Sequence, residues 1–335
     1  MKRLLSAPSF TTARHTPWQT SAVAEPPADA TEALTPLSPA QWREQRRAHH
    51  AVVDSWVTPH LQRRHSGQRH PVEDFLWNYY PYRPSALRLW NPGPAAVLLD
   101  HHDEEPLPLG FATDADGVAT FAFERLPARH RERIATELPW LLRLLDGMRQ
   151  RPAGFGCFGM HEWAMVLGQS SDEYRHSTWP MRVGPDAVRG AIADVGLRCT
   201  HFDAWRFFTP EATGLNPWPL SRAEQPERDQ AGCLHANMDV YKWSMRMQPL
   251  VPSTLVTSAF DLAMRIRRLD MAASPYDFSA LGVQPVAVET AAGRSDYARQ
   301  QRGFSAEAAA LRAELQHHLQ PFAAAAGAGA DTIRA

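Results

Sequence analysis

Lysine is almost missing from this chain of 335 residues. Lysine and arginine together number 35, and all of them except Lys2 and Lys242 are arginine. Such a bias reflects the codon economy of a GC-rich genome. A lysine kept against it stands where a compact point charge serves and a planar guanidinium does not. Cysteine is scarce and odd in number, three in all. That excludes a disulfide framework and fits a reducing compartment. An excess of one charge is missing too: the net charge is −1. A surface coated in basic charge for non-specific nucleic-acid binding is thereby excluded, although one basic groove is not. No apolar run approaches the length of a membrane span, and the run behind Met1-Lys2-Arg3 is too short for a signal peptide. The expectation is a soluble, cytoplasmic protein with no membrane partner. There is no Gly-x-x-x-x-Gly-Lys phosphate loop and no Gly-x-Ser-x-Gly nucleophile elbow, which removes the usual nucleotide hydrolases and α/β-hydrolases.

What is present is globular. A hydrophobic content of 44 % and a charged content of 21 % allow a sizeable core. Residues 1–38, rich in Pro, Ala, Thr and Ser, read as a disordered N-terminal arm. Residues 39–322 show no composition break and read as a single globular catalytic domain, and 323–335 as a flexible tail. Ser38-Pro39 opens a helix, cap first and proline next, running through Trp42, Val53 and Trp56 toward Pro59. His70–Trp77 starts an aromatic helix that Pro81 and Pro84 end. Ala95–Leu99 predicts a strand, Asp116-Gly117 a turn, and Val118–Phe123 the partner strand. Pro127 to about Arg149 is helical, with Ile134, Leu138, Leu141, Leu142 and Leu145 on one side. Gly154–Gly159 is a glycine-rich bend. Leu197–Phe208 alternates like a strand, and 209–226 is a proline-rich loop. Helices follow from about Cys233 to before Pro249, from Ser253 with Leu255, Val256, Ala259, Leu262, Ala263 and Ile266 at helical spacing, and from Arg294 to about Phe322. Val286–Thr290 is a late strand. The sum is an α+β fold, mostly α-helical, with a small β-sheet.

The stretch Cys233-Leu-His235-Ala-Asn237-Met-Asp239-Val-Tyr241-Lys242-Trp243 is the most informative piece. On a helix, His235, Asp239 and Lys242 fall at i, i+4 and i+7 and share one face. A base, a carboxylate and an amine together make an active-site strip; the plainer alternative is a buried helix with an internal Asp–Lys pair. His161, His201 and His235 each lie within four residues of one of the cysteines. His161, His201 or His235 could move protons near neutral pH, with Glu162 and Asp203 as further acids. A metal is the other meaning. On a strand, His201 and Asp203 point to the same side, and with His235 or His161 they would form a facial triad for iron or zinc acting on a small-molecule substrate. Basic clusters such as Arg265, Arg267 and Arg268 read as solvated faces. A third possibility is a non-enzymatic module that binds a flat cofactor such as haem between aromatic rings.

Three segments, His70-Pro-Val-Glu-Asp-Phe-Leu-Trp, Gly159-Met-His-Glu-Trp-Ala-Met-Val and Cys233–Trp243, carry a resemblance. With Thr200–Phe208 and Met271–Asp277 they resemble a bacterial family labelled 3-methyladenine DNA glycosylase, over roughly residues 39–320. The Gly-rich hairpin of the best-known helical base-excision enzymes is not found. The resemblance implies a DNA-repair hydrolase that binds damaged DNA and excises alkylated purines without a cofactor. Asp239 would then stabilise the sugar cation or activate water, with Lys242 keeping it ionised. His235 or His161, beside Glu162, would orient the water. Trp163, Trp205 and Trp243 would stack on the flipped base, and Tyr241 and Asn237 would complete the substrate-binding set.

Overall fold

The computed structural model describes residues 34–323, apart from 103, 104, 171 and 175. In chain order the helices are α1 (Pro39–His65), α2 (Phe75–Tyr79), α3 (Pro84–Leu87), α4 (Ala128–Gln150), α5 (Met160–Ala164), α6 (Pro185–Val195), α7 (Phe202–Trp205), α8 (Pro210–Thr213), α9 (Gln225–Arg228), α10 (Leu234–Arg246), α11 (Ser253–Ala272) and α12 (Ala291–Leu319). The strands are β1 (Thr35–Leu37), β2 (Ala96–Leu98), β3 (Phe111–Thr113) and β4 (Ala119–Phe121). The expected class, mostly helical α+β with a small sheet, is the one observed. None of the described helices is long and apolar enough to cross a membrane.

The core is built on α10, α11 and α12, which pack on one another. The stripe expected on α11 is fully inside: Leu255, Val256, Ala259, Leu262, Ala263 and Ile266 are all buried, and Phe260 is buried with them. Burying one such Leu, Val, Ile or Phe stabilises the fold by about 1.5–3 kcal/mol. Helix α10 is buried on nearly every side, including Asn237, Asp239 and Ser244. Polar groups on such a helix need internal partners. Asn237 accepts from Arg312 Nη1 and donates to the Ala231 carbonyl, and Ser244 Oγ donates to the Val240 carbonyl.

Helix α1 opens as its sequence predicts, with Gln41 Oε1 accepting from the Ser38 backbone N–H at 2.8 Å. It does not stop at Pro59 but continues to His65. The far end is anchored from outside: His60 Nδ1 lies 2.9 Å from Asp74 Oδ1, and Arg63 also donates to that carboxylate. Tertiary partners outweigh the hydrogen bond that proline removes.

The sheet has the order β1-β2-β4-β3, with β1 parallel to β2 and the other pairs antiparallel. Val97 pairs with Thr120 and Leu98 with Ala119, as the two expected strands require. The Asp116-Gly117 turn, however, joins β4 to β3, a strand the sequence reading left out; Asp114 Oδ1 accepts from the backbone of Asp116 and Val118. Strand β1 corrects the expected arm as well. Thr35–Leu37 pairs with Ala96–Leu98, and Leu37 joins Trp42, Leu98, Phe111 and Ala119 in a small second core. The rest of the expected arm, 1–33, and the tail beyond 323 lie outside the described residues. Two expected strands are absent among the described residues. Segment 286–290 is irregular, and within 197–208 an irregular stretch leads into α7 and a turn follows it, with His201 at the helix N-cap.

Candidate functional site

The site is assembled from α5, α7, α10 and α11, and the sheet contributes nothing to it. Cys157–Gly159 makes the sharp bend that starts α5; Phe158 and Gly159 have φ of +44° and +70°. The glycines at 154, 156 and 159 have the spacing of a dinucleotide-binding turn. Yet no strand precedes them and α5 has only five residues, so the strand–turn–helix frame of that motif is missing. The bend instead turns His161 and Glu162 inward, where both are buried.

His161 Nε2 stands 3.1 Å from Asp270 Oδ1 and 3.6 Å from Glu162 Oε1, and His235 Nε2 stands 3.9 Å from Asp270 Oδ2. Arg267 Nη1 donates to Glu162 Oε1 and to Asp270 Oδ2, each at 2.9 Å. Its guanidinium lies 3.8 Å from the centre of the Phe75 ring. Despite their closeness, His161 Nε2 and Asp270 Oδ1 miss the alignment of a hydrogen bond, and both are buried polar atoms without a hydrogen-bond partner. Burial disfavours a charged His161, but the carboxylates of Asp270 and Glu162 outweigh it and lift its pKa to about 9. Burial and the neighbouring His161 push His235 down to about 3. Burial also opposes ionisation of Glu162 and Asp270. Arg267 and His161 override it for Glu162, His161 overrides it for Asp270, and both carboxyls stay below their ordinary range.

A second cluster adjoins the first. His201 Nδ1 is 3.1 Å from Asp229 Oδ2, and Gln225 Nε2 donates to that same oxygen. The other ring nitrogen, Nε2, lies 3.8 Å from Asp239 Oδ2. Lys242 Nζ bridges Asp239 Oδ2 at 2.9 Å and Asp203 Oδ2 at 3.1 Å. Tyr80 donates its hydroxyl to Asp239 Oδ1, and Arg222 donates to Asp203 Oδ1. Burial would neutralise Lys242, but Asp239 and Asp203 reverse that and raise its pKa. The two clusters touch through the imidazoles: His235 stacks on His201 with ring centroids 5.9 Å apart and planes 22° from parallel.

Two cavities meet these residues. One, of about 20 Å³, is walled by the aromatic rings of Phe75, Tyr79 and Phe207 and by the polar groups of His161, Glu162, Asp203, His235 and Arg267. The other, of about 30 Å³, is lined by Cys157, Cys199 and Cys233, again with His161 and His235.

Among the residues predicted from sequence, His161, Glu162, His235 and Asp203 therefore share one cleft. His201, Asp239 and Lys242 stand directly behind it, and Asp239 and Lys242 line neither cavity. The remaining five are packed elsewhere. Trp163 is fully buried and donates Nε1–H to the Ala273 carbonyl. Trp243 packs on Trp140 and under the Lys242 ammonium. Tyr241 sits among Tyr80, Tyr82 and Phe260, Trp205 packs near Phe202, and Asn237 is held by Arg312. His201 and Asp203 come together on the first turn of α7 rather than along a strand. Asp270, Arg267 and Asp229 were not anticipated. A signal for two of them was available: Arg267 is four residues after Ala263 and Asp270 four after Ile266, which continues the buried stripe of α11. Comparison of the chain with protein-family models, with curated proteins and with solved structures finds no match in any of the three.

Proposed function

We propose that this chain is a metal-dependent enzyme acting on a small molecule, its cation held by His161 Nε2, His235 Nε2 and a carboxylate oxygen of Asp270. One observation carries it. These donors lie within 4.8 Å of one another, and His161 Nε2 and Asp270 Oδ1 are buried without hydrogen-bond partners. The two atoms face each other at 3.1 Å without the alignment of a hydrogen bond, and a cation shared between them would supply the geometry that their direct contact lacks. Two imidazoles with a carboxylate suit iron(II) or zinc. The reading keeps the expected His161 and His235 but replaces His201 and Asp203 by Asp270, because the Lys242 ammonium already occupies the carboxylate of Asp203.

This chain's own residues divide the remaining work. Arg267 fixes the carboxylates of Glu162 and Asp270, as outer partners of metal ligands do. Phe75, Tyr79 and Phe207 offer flat apolar surface to a substrate. Glu162, held ionised beside His161 in the cleft, keeps negative charge next to the proposed cation. A divalent cation, when bound, supplies Lewis-acid polarisation of a substrate oxygen. The cytoplasmic location expected from the sequence belongs to the same proposal, supported by three free thiols.

The test is metal stoichiometry. Metal-stripped protein reloaded with iron(II) or zinc is expected to retain one ion per chain, and His161→Ala, His235→Ala and Asp270→Ala to lose it while keeping their far-ultraviolet dichroism. A wild-type protein that retains neither metal would end the reading.

A second reading, excision of alkylated purines from DNA, is supported by the aromatic walls of the same cleft, which suit a flat base. The exposed guanidinium groups of Arg206 and Arg222, both paired with Asp203, could meet phosphates. Asp239 would be its carboxylate, with Lys242 beside it. Release of 3-methyladenine from alkylated DNA by the wild type, and its loss in Asp239→Asn, are the expected results; undiminished release by the variant would remove Asp239 from that role.

A further inference from the structure

The second cluster has the donors of a metal site and a cation already in place. His201 Nε2, Asp203 and Asp239 bring three donor atoms within 4.8 Å of one another, and all three residues are buried. His201 is prepared as a ligating histidine is: its Nδ1 is tied to Asp229 at 3.1 Å, and its Nε2 faces Asp239. A carboxylate behind the imidazole sets tautomer and ring orientation in metal-binding histidines. Lys242 Nζ sits on the two carboxylates at 2.9 and 3.1 Å. From these positions we infer that Lys242 is a built-in cation occupying a second metal position, so that the chain carries the donors for two ions and admits one. One imidazole with two carboxylates is a donor set for a divalent first-row ion such as zinc or manganese(II).

The composition fits this assignment. Lys242 is the only lysine among the described residues of a chain whose other strong bases there are arginines. A guanidinium is a planar fork that spreads its charge over three nitrogens, whereas an ammonium concentrates it at one point, as a metal ion does. An arginine nitrogen can also bridge two carboxylates, as Arg267 Nη1 does; what lysine adds between Asp203 and Asp239 is a whole charge concentrated on the bridging atom. The arrangement also balances charge locally, since removing the ammonium would leave Asp203 and Asp239 without the cation between them, offset by Arg222 and Arg206 at Asp203 and by His201 and Tyr80 at Asp239.

The inference rests on the proposed site at His161, His235 and Asp270 only for the count of ions in the wild type. The experiment reads a difference. Metal-stripped wild type, Lys242→Ala and Lys242→Met, each as the full chain, are titrated with zinc by calorimetry. Bound zinc is then counted by elemental analysis after gel filtration. Each lysine variant is expected to hold one more zinc per chain than the wild type, and the additional change His201→Ala to abolish that extra ion. Equal zinc content in wild type and variants overturns the inference, as does an extra ion that survives His201→Ala. If the wild type holds none and the variants one, the first site fails and the second stands. If both lysine variants remain unfolded even with zinc present, the ammonium is not a replaceable cation and the inference falls.

Discussion

His161 stands edge-on to His235, with ring centroids 4.2 Å apart and planes at 83°. The two rings share Asp270 and cannot both carry a proton cheaply, and their pKa values diverge to about 9 for His161 and about 3 for His235. The consequences for stability have opposite signs. His161 keeps in the folded state a proton that the unfolded chain releases near 6.5; its contribution is complete below that pH and is lost as pH climbs toward 9. His235 refuses a proton that the unfolded chain accepts; its contribution is complete above 6.5 and drains as pH falls toward 3. In metal-stripped protein, a nuclear magnetic resonance titration should find the His235 ring silent between about pH 5 and 8, with His161 titrating on the alkaline side. His161→Gln should move the His235 pKa upward. A wild-type His235 that titrates like an exposed histidine would contradict the pairing.

Arg267 is the only cation donating to both Glu162 and Asp270 among the described contacts, and it is itself 2 % exposed. Removing one member of a buried ionic group strands the others, at a cost of about 3–5 kcal/mol. Arg267→Met should therefore lower stability by about that amount in urea unfolding. Added zinc should return part of it, since a cation at Asp270 would again offset the carboxylates. A loss within the range of an ordinary surface substitution, about 0.5 kcal/mol, would mean the carboxylates are satisfied by other means.

Much of this architecture is legible in the sequence, and the failures have physical reasons. The strip His235, Asp239, Lys242 was readable because α10 is regular and the 3.6-residue period is strict. The stripe of α11 was equally plain up to Ile266. It was then lost, because Arg267 and Asp270 are charged and charge reads as surface; only the convergence of Glu162 and His161 from α5 makes them interior. The alternation over Leu197–Phe208 imitated a strand, yet among the described residues no strand pairs with it, and His201 takes the N-cap position of α7 instead. All four strands have three residues, too short for periodicity alone; β1 lies in a Pro-, Ala- and Thr-rich segment whose composition reads as disorder, and β1 and β3 are held by pairing with β2 and β4.

Gly159 is the hinge on which His161 and Glu162 turn inward. Its φ of +70° lies where side chains are disfavoured, and a Cβ there would meet Ala273 Cβ and the Tyr297 ring at 3.3 Å. A left-handed conformation costs a non-glycine residue about 1–2 kcal/mol. Gly159→Ala should lose about that much stability and, because His161 follows two residues later, should weaken zinc binding more than an equally destabilising change in the sheet core such as Leu98→Val. Unchanged zinc affinity in Gly159→Ala would separate the bend from the site.

Cys157, Cys199 and Cys233 reach one cavity from three separate segments. Their proximity to His161 and His235 invites the idea of a reactive thiolate. The electrostatics oppose it. Burial raises all three thiols, Cys199 to about 12 and Cys233 well above its ordinary value; neighbouring cysteines and Asp229 add to the effect at Cys199 and Cys233, and Asp270 at Cys157. The thiolate is the nucleophile, so a raised pKa makes these groups inert at neutral pH. Ellman's reagent at neutral pH should label the native protein slowly, and should label three thiols per chain once urea has unfolded it. A fast native phase would identify a thiol that the fold leaves reactive. Tracing that phase by Cys199→Ser, the replacement of one of the two more accessible cysteines, would then turn attention from the imidazole–carboxylate cleft to the cavity behind it.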